Sequence, residues 1–290
     1  MSEGYILLGD FRTYYKVFGE RSKKSAPIVV LQGGPGESHH YMLGLRKLAS
    51  ENQQVIFYDQ FGSGLSDGRD RPELWTMQTF INQLDGLRRK LDLDQVHLIG
   101  HSFGGMLTVD YLLTEPAGVR SVTLSSAMIS MPLYQQEVDI LVSKLPDAAR
   151  KVIDRGHKKG KVDTEEFREA FQEFNKRHIF RGDTWPVELR TPAGMNNQAL
   201  YRKLWGLTEA YTATGDFREW DRVQELPKIH VPTLVTAGKY DELTPAQAEL
   251  TSEKVTGARL KIFEDCSHCH HVENEADYLS TVSDFTRSIV

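Results

Sequence analysis

The chain has little cysteine and no long apolar run, and each absence excludes a class of protein. Cys266 and Cys269 are the only cysteines in 290 residues, too few for the disulfide framework of a small extracellular domain. No apolar run approaches the roughly 18 residues that a membrane-spanning helix needs. The first residues also lack the basic and apolar segments of a secretory signal. We therefore expect a cytoplasmic protein with no membrane partner.

The chain also lacks an excess of positive charge. Its 40 acidic and 35 basic side chains give a formal net charge of −5, whereas nucleic-acid-binding proteins usually concentrate basic residues on one face. We therefore expect no nucleic-acid partner. The length allows one large domain, or a core with a modest insertion, without metal or disulfide support. The sequence does not indicate an oligomeric state.

Short apolar, β-branched runs alternate with helical patterns along most of the chain. Runs without polar alternation suit strands that are buried on both faces, as in a parallel sheet. They occupy residues 28–31, 55–58, 96–99, 122–124, 233–236 and 260–263, and runs at 5–8 and 12–17 suggest an antiparallel opening pair. The alternation predicts an α/β protein with a mostly parallel, doubly wound sheet.

The alternation of strands and helices stops between residues 128 and 226. This stretch is rich in helix-forming residues. Asp163 with Glu166 resembles a capping box at the start of one of its helices. We interpret residues 128–226 as a helical cap, inserted into a core that residues 1–127 and 227–290 form.

The strongest catalytic signal is VHLIGHSFGG at residues 96–105, which contains the pattern G-x-S-x-G. The motif follows a predicted strand and precedes a predicted helix, the context of the nucleophile elbow in the α/β-hydrolase fold. We therefore predict Ser102 as the catalytic nucleophile, with an incidental glycine-rich turn as the alternative. Haloalkane dehalogenases and epoxide hydrolases normally use Asp as nucleophile, so Ser102 argues against both.

A serine hydroxyl needs a base to take its proton and a carboxylate to orient that base. In this fold the acid follows a late strand and the histidine follows the last strand. Asp241 has the position of the acid, although it could also begin a turn or cap a helix. His268 lies nearest the last predicted strand, so we predict it as the base. His270 and His271 are expected to line the loop or to begin the next helix.

The segment from Cys266 to Cys269 also spells C-x-x-C beside several histidines. A closed structural zinc site needs four ligands, and His268 already has a role in the predicted triad. A thioredoxin-like redox site is disfavoured because the motif follows the last strand. We interpret the two cysteines as small buried residues, and we expect neither a metal nor an organic cofactor.

Acyl transfer develops negative charge on the carbonyl oxygen, which backbone donors must stabilise. One donor is expected from Phe103, the residue after the nucleophile. The segment GGPG at residues 33–36 follows the first parallel run, and its glycines allow close approach of the backbone to substrate. We predict the Gly34 N–H as the second donor, with a purely structural Gly-Pro turn as the alternative.

Together these motifs resemble the proline iminopeptidases and the related aminopeptidases and amino-acid amidases. The resemblance rests on GGPG at 33–36, YDQFGSGLSD at 58–67, GHSFGG at 100–105, GKYDELTP at 238–245 and DCSHCHHVE at 265–273. These segments span nearly the whole predicted core in the right order. The resemblance implies hydrolysis of an amide or peptide bond after a small N-terminal residue, whose free α-ammonium is held by carboxylates.

Two glutamates are candidates for that ammonium site. Family members commonly carry an acidic residue directly after the triad Asp, and here it is Glu242. A second family glutamate lies in the cap within a pattern like N-E-[FY]-T-x-T-G, and Glu209 is the candidate, one residue early. A solvated carboxylate is the alternative for each. Gln32 replaces the histidine usual before GGPG, but Gln can also hydrogen bond, so we expect the oxyanion hole to be preserved.

The sequence thus predicts a serine hydrolase that cleaves a small peptide or amino-acid amide through an acyl-enzyme. An esterase, lactonase or C–C hydrolase with the same Ser-His-Asp triad is the first alternative, and a requirement for a free amine separates it from a peptidase. A non-catalytic binding protein on the same fold is the second alternative. Such proteins usually lose a triad residue, and all three are present here.

Overall fold

The computed structural model describes residues 1–22, 25–208 and 213–289, and within them one sheet of eight strands. The strands are β1 (Ser2–Leu8), β2 (Phe11–Phe18), β3 (Ile28–Leu31), β4 (Val55–Tyr58), β5 (Val96–Ser102), β6 (Val119–Ala127), β7 (Thr233–Gly238) and β8 (Arg259–Phe263). Their order across the sheet is β1-β2-β4-β3-β5-β6-β7-β8. The β1–β2 and β2–β4 pairs are antiparallel, and the other pairs are parallel. The predicted mostly parallel sheet is confirmed.

The central strands are apolar because they are covered on both faces. Every residue of β3 and β4 is buried. Successive side chains point to opposite faces of a strand. Val29 of β3 accordingly joins an apolar cluster with Leu84, whereas Val30 joins a second cluster with Val282 near the C-terminus. This burial on two sides explains why the strand sequences show no polar alternation.

Nine α-helices lie in the described part of the chain. They are α1 (Met77–Lys90), α2 (Phe103–Leu112), α3 (Met131–Ser143), α4 (Asp147–Lys159), α5 (Glu165–His178), α6 (Gln198–Leu204), α7 (Pro245–Lys254), α8 (His270–Glu273) and α9 (Glu275–Arg287). Segments of 3₁₀ helix cover His39–Leu48, Pro72–Leu74, Val187–Leu189 and Leu226–Lys228. None of the helices described here is long and apolar enough to span a membrane.

Helices α3 to α6 occupy the interval between β6 and β7. The chain segments at the two ends of this interval pair with each other. The Met131 N–H donates to the Trp220 carbonyl at 2.8 Å, and the Arg222 N–H donates to the Ile129 carbonyl at 2.9 Å. These bonds join the places at which the chain leaves and rejoins the sheet region. We refer to residues 128–226 as the proposed cap.

The start of α5 differs from the predicted capping box of Asp163 and Glu166. Thr164 is the N-cap, and its hydroxyl accepts a hydrogen bond from the Phe167 N–H at 3.2 Å. The Asp163 carboxylate instead pairs with Arg202 at 2.8 Å. The prediction was therefore wrong by one residue, because the carboxylate serves an ion pair while the neighbouring hydroxyl satisfies the helix end.

The carboxyl ends of the parallel strands lie together at one edge of the sheet, so the loops that follow these strands lie at that edge too. Ser102 is the last residue of β5, Asp241 follows the end of β7, and His268 follows the end of β8. Gln32 begins the glycine-rich loop after β3. The fold therefore places every predicted catalytic segment of the core at the same edge.

Candidate active site

Ser102 occupies a sharp turn between β5 and α2. Its φ of 55° and ψ of −121° lie in a region that residues other than glycine rarely adopt. The turn also needs small neighbours, because a side chain on Gly104 would collide with the Leu31 carbonyl oxygen and one on Gly105 with Ala127. This strained geometry between strand and helix is that of a nucleophile elbow.

His268 and Asp241 are in direct contact. His268 Nδ1 lies 2.9 Å from Asp241 Oδ1. An ionised carboxylate can only accept, so Nδ1 carries the hydrogen and Nε2 is left as an acceptor. The Asp241 carboxylate also accepts from the Leu243 N–H at 2.9 Å and from the Ser126 hydroxyl. The structure therefore brings the predicted acid and base together in a fixed orientation.

Ser102 and His268 line one cavity of about 190 Å³. The predicted triad residues thus share one site, in which the contact between acid and base is formed and the serine faces the same cavity.

The loop that carries His268 is fastened to the end of α5. The His268 N–H donates to the His178 carbonyl at 3.1 Å, and the Cys269 N–H donates to the Ile179 carbonyl at 3.0 Å. His178 Nδ1 in turn lies 2.9 Å from the Tyr240 carbonyl oxygen. The proposed cap therefore helps to position the predicted base. No sequence motif indicated this contact.

The two predicted oxyanion donors lie beside Ser102. Phe103 begins α2, and its fully buried ring fixes the residue in place. Gly34 lines the same cavity as Ser102 and has a φ of 112°, which is accessible mainly to glycine. A side chain on the neighbouring Gly33 would lie 2.8 Å from Ser102 Cβ. The glycine loop thus lies against the serine, as close approach of a donor requires.

Gln32, which replaces the family's usual histidine, connects the ends of β3 and β4. With its side-chain amide oriented to satisfy both neighbours, its nitrogen donates to the Tyr58 carbonyl and its oxygen accepts from the Gln60 N–H, both at 2.9 Å. The Gln60 side chain donates in return to the Gln32 carbonyl at 2.8 Å. These bonds hold the start of the glycine loop in place.

A buried series of hydrogen bonds connects the glycine loop to the His268 loop. The Gly33 N–H donates to the Tyr41 hydroxyl at 2.6 Å, and this hydroxyl lies 2.9 Å from His101 Nδ1. His101 Nε2 donates to the His268 carbonyl at 3.0 Å, so Nδ1 must accept from Tyr41. Burial lowers the pKa of His101 well below its usual value, which keeps the ring in this neutral form.

Glu242 is a buried carboxylate at the same cavity. It is 4% exposed, and its Oε2 accepts from the Tyr134 hydroxyl at 3.1 Å. Its Oε1 lies 3.8 Å from His268 Nε2, so the carboxylate is close to the nitrogen that would accept the serine proton. The other predicted ammonium ligand, Glu209, lies outside the described residues.

The structure brings three further residues to the site that the sequence analysis did not predict. Tyr41 and Ser126 orient the loops through the hydrogen bonds given above, and only the fold brings them there. Glu37 lines the cavity. Its position directly after GGPG is a signal that could have identified it, because a residue next to a predicted oxyanion loop is expected near substrate.

The proposed cap supplies a mainly apolar wall of the cavity, with one polar residue, Asn175. Its side chains there are Phe171, Asn175, Ile179, Trp185, Leu189 and Trp205. The core supplies mainly polar groups, including Glu37 and Glu242. None of the described lining residues is a lysine or an arginine. The cavity therefore suits a small ligand that combines a positive charge with an apolar body.

The other two histidines of the last motif begin α8 and are buried. His270 Nε2 lies 3.0 Å from Thr236 Oγ1. Burial lowers the pKa of His270 to about 4 and that of His271 to about 3, so both rings are neutral at pH 7. Their neutral state matches their place in the packed interior beneath the site.

Cys266 and Cys269 are buried, free thiols. Burial raises the pKa of Cys266 to about 12 and that of Cys269 well above its usual value. Metal binding and thiol exchange both require the thiolate, so this environment disfavours the metal and redox alternatives. In the part of the chain that the structure describes, no group of three or more potential ligands is arranged to hold a metal ion.

Comparison with known proteins finds relatives over the whole length of the chain. A family model of the alpha/beta hydrolase fold matches residues 26–275. The proline iminopeptidase of Heyndrickxia coagulans is 36% identical, over 99% of this chain and 99% of its own. The crystal structure of VinJ has a TM-score of 0.94 at 32% identity and covers 100% of this chain and 99% of that one. The crystal structure of proline iminopeptidase from Mycobacterium smegmatis has a TM-score of 0.91 at 28% identity, over 99% and 98%.

Proposed function

As this chain belongs to the proline iminopeptidase family of α/β-hydrolases, we propose that it releases N-terminal proline from small peptides, and from the related amide, through an acyl-enzyme. The observation that supports this substrate is Glu242, whose carboxylate lies 3.8 Å from the proposed base. A buried carboxylate at a ligand cavity is stabilised by a bound cation. The secondary ammonium of an N-terminal proline supplies that charge on a small apolar ring.

The first half of the reaction forms an ester on Ser102. His268 Nε2 takes the proton of Ser102 Oγ as this oxygen attacks the carbonyl carbon of the first residue. Asp241 orients the imidazole and stabilises its positive charge. The N–H groups of Gly34 and Phe103 stabilise the oxyanion, at roughly 3 kcal/mol per donor in other hydrolases. His268 then protonates the leaving amine, and the C–N bond breaks.

The second half releases the first residue. Water attacks the ester carbonyl, His268 accepts its proton, and the proton returns to Ser102 Oγ as the C–O bond breaks. The cavity of about 190 Å³ has room for a small first residue, and Trp185 and Trp205 of the proposed cap contact its apolar part. The cytoplasmic location and the lack of a nucleic-acid or membrane partner remain predictions from the composition.

A panel of model substrates tests this function. Prolyl anilide and prolyl amide should be hydrolysed, and N-acetylation of the anilide should lower kcat/KM by about 100-fold or more, because the ammonium loses its carboxylate partner. A matched Ser102→Ala protein should keep its circular dichroism spectrum and lose turnover. Equal rates for free and acetylated substrates would support the esterase alternative. Failure of a fluorophosphonate to label the native protein would support the binding-protein alternative.

A further inference from the structure

Glu37 lies where two cavities meet. It lines the cavity that contains Ser102, and it also lines a neighbouring cavity of about 210 Å³. Its side chain is adjacent to the predicted oxyanion donor, because a side chain on Gly34 would come within 3.4 Å of Glu37 Cγ. A substrate whose carbonyl oxygen binds at Gly34 therefore has the Glu37 side chain close to its scissile bond.

The neighbouring cavity is polar, and Glu37 is the one acidic or basic residue among the described residues that line it. Its polar walls include Asn196, Gln198 and Thr208. The cavity thus offers hydrogen bonds to a peptide segment beyond the scissile bond.

The electrostatic environment of both cavities favours cations. Neither has a lysine or an arginine among its described lining residues. Burial is the main reason that the pKa of the Cys269 thiol is raised. Nearby carboxylates, including Glu37 and Glu242, raise this pKa further. Two carboxylates at one site attract a ligand that carries positive charge at two points. The α-ammonium is assigned to Glu242, and Glu37 is the second carboxylate that lines this cavity.

Resting on the proposed function, we propose that Glu37 binds a positively charged side chain on the residue that follows the scissile bond. Glu242 holds the α-ammonium of the first residue, and the leaving segment extends past Gly34 into the cavity beyond Glu37. Peptides that begin with proline followed by lysine or arginine are then preferred substrates. Glu37 selects the substrate and takes no part in making or breaking bonds.

The test compares two substrates of equal length, Pro-Lys-amide and Pro-norleucine-amide, by the release of free proline. Norleucine has the lysine chain without its ammonium group. The native protein should favour the lysine substrate in kcat/KM by about fivefold, the range of a partly exposed ion pair, and 0.5 M salt should reduce this ratio. Glu37→Gln should bring the ratio to about one. Glu37→Lys should instead favour Pro-Glu-amide over Pro-Lys-amide.

The matched control is Glu249→Gln, which changes the net charge equally at an exposed position on α7 and should keep the native ratio. A ratio near one in the native protein, or a ratio that Glu37→Gln leaves unchanged, would overturn the proposal. An equal loss for both substrates would assign Glu37 to the α-ammonium instead. Hydrolysis of prolyl anilide distinguishes failure of the Glu37 proposal from failure of the proposed function. If the native protein hydrolyses prolyl anilide but does not prefer Pro-Lys-amide, only the Glu37 proposal fails. If it does not hydrolyse prolyl anilide, the proposed function fails.

Discussion

The core and the proposed cap contribute to the site in different ways. In the core, buried hydrogen bonds fix the groups proposed to react, as Ser126 and His268 do for the Asp241 carboxylate. In the proposed cap, ion pairs such as that of Arg155 and Glu166 lie on the surface, while aromatic side chains line the cavity. We therefore propose that the sheet edge carries the chemistry and that the helices of the proposed cap shape substrate selection.

Hydrogen bonds join the two regions at several places, and one of these junctions holds the proposed base. The His178 carbonyl at the end of α5 accepts the His268 N–H, so a helix of the proposed cap supports the proposed base. Away from this junction, we expect substitutions in the core to act mainly on kcat and substitutions in the proposed cap mainly on KM. The experiments below test this separation.

The largest effect is expected from Asp241→Asn in the core. The amide nitrogen would donate to His268 Nδ1, which would place the hydrogen on Nε2 and prevent this atom from accepting the serine proton. The loss in kcat on prolyl anilide should be about 10⁴-fold, as for the equivalent change in other triads. Asp183→Asn, an exposed change of the same type in the proposed cap, is the matched control and should behave like the native protein. A loss below tenfold for Asp241→Asn would contradict the assignment.

The next effect concerns Glu242, at the boundary between the two regions. Glu242→Gln removes the charge that faces the substrate ammonium and should lower kcat/KM for prolyl anilide by about 100-fold, because an uncompensated buried charge remains on the ligand. The N-acetylated anilide has no ammonium, so its slow hydrolysis should change little. Steady-state kinetics on the two anilides measure this contrast. If both rates fall by the same factor, Glu242 acts through His268 rather than through the ammonium.

A third effect concerns the buried histidines of the core. His271 has a folded pKa of about 3 because of burial, whereas the unfolded value is near 6.5. Below pH 6.5 the unfolded chain therefore binds a proton that the folded chain does not, so stability falls as the pH is lowered from about 6.5 towards 3. At pH 5 this residue alone lowers the free energy of unfolding by about 2 kcal/mol relative to pH 7.5.

Urea unfolding at pH 7.5 and pH 5 measures this pH dependence. His271→Gln should lose less stability between the two pH values than the native protein does, whatever its stability at pH 7.5. His230→Gln, at an exposed position, is the control and should retain the native difference. An unchanged difference in His271→Gln would show that this ring does not remain neutral in the folded core.

The smallest effect is expected from Trp185→Ala in the proposed cap. Trp185 lines the cavity but is 40% exposed, so its removal takes away only part of an apolar contact with substrate. KM for prolyl anilide should rise about fivefold while kcat changes less than twofold, the pattern of lost uniform binding. A fall in kcat that exceeds the rise in KM would break the division between the two regions.

The sequence was sufficient to predict the sheet because the central strands are apolar on both faces and the loops that follow them carry local motifs. Residues 28–31 and 55–58 match β3 and β4, and GHSFGG marks the turn at Ser102 because glycines are needed within a few positions of it. The fold class could therefore be predicted from short segments and their order.

The remaining features depend on contacts between distant residues. Tyr41 meets His101, and Ser126 meets Asp241, only after the sheet has formed, so no local pattern indicates either contact. The helix start at Thr164 was misplaced because Asp163 and Thr164 are both good caps, and the ion pair that engages Asp163 comes from the distant Arg202. Side-chain competition of this kind is not visible in a motif.

The most direct test of the central claim is to find the reactive residue by peptide mapping after reaction with a fluorophosphonate. We expect one adduct per chain, on the peptide that contains Ser102, and a loss of prolyl anilide hydrolysis in proportion to the fraction modified. Prior incubation with prolyl amide should slow the labelling. An adduct on another residue, or full activity in protein whose Ser102 is modified, would contradict the account.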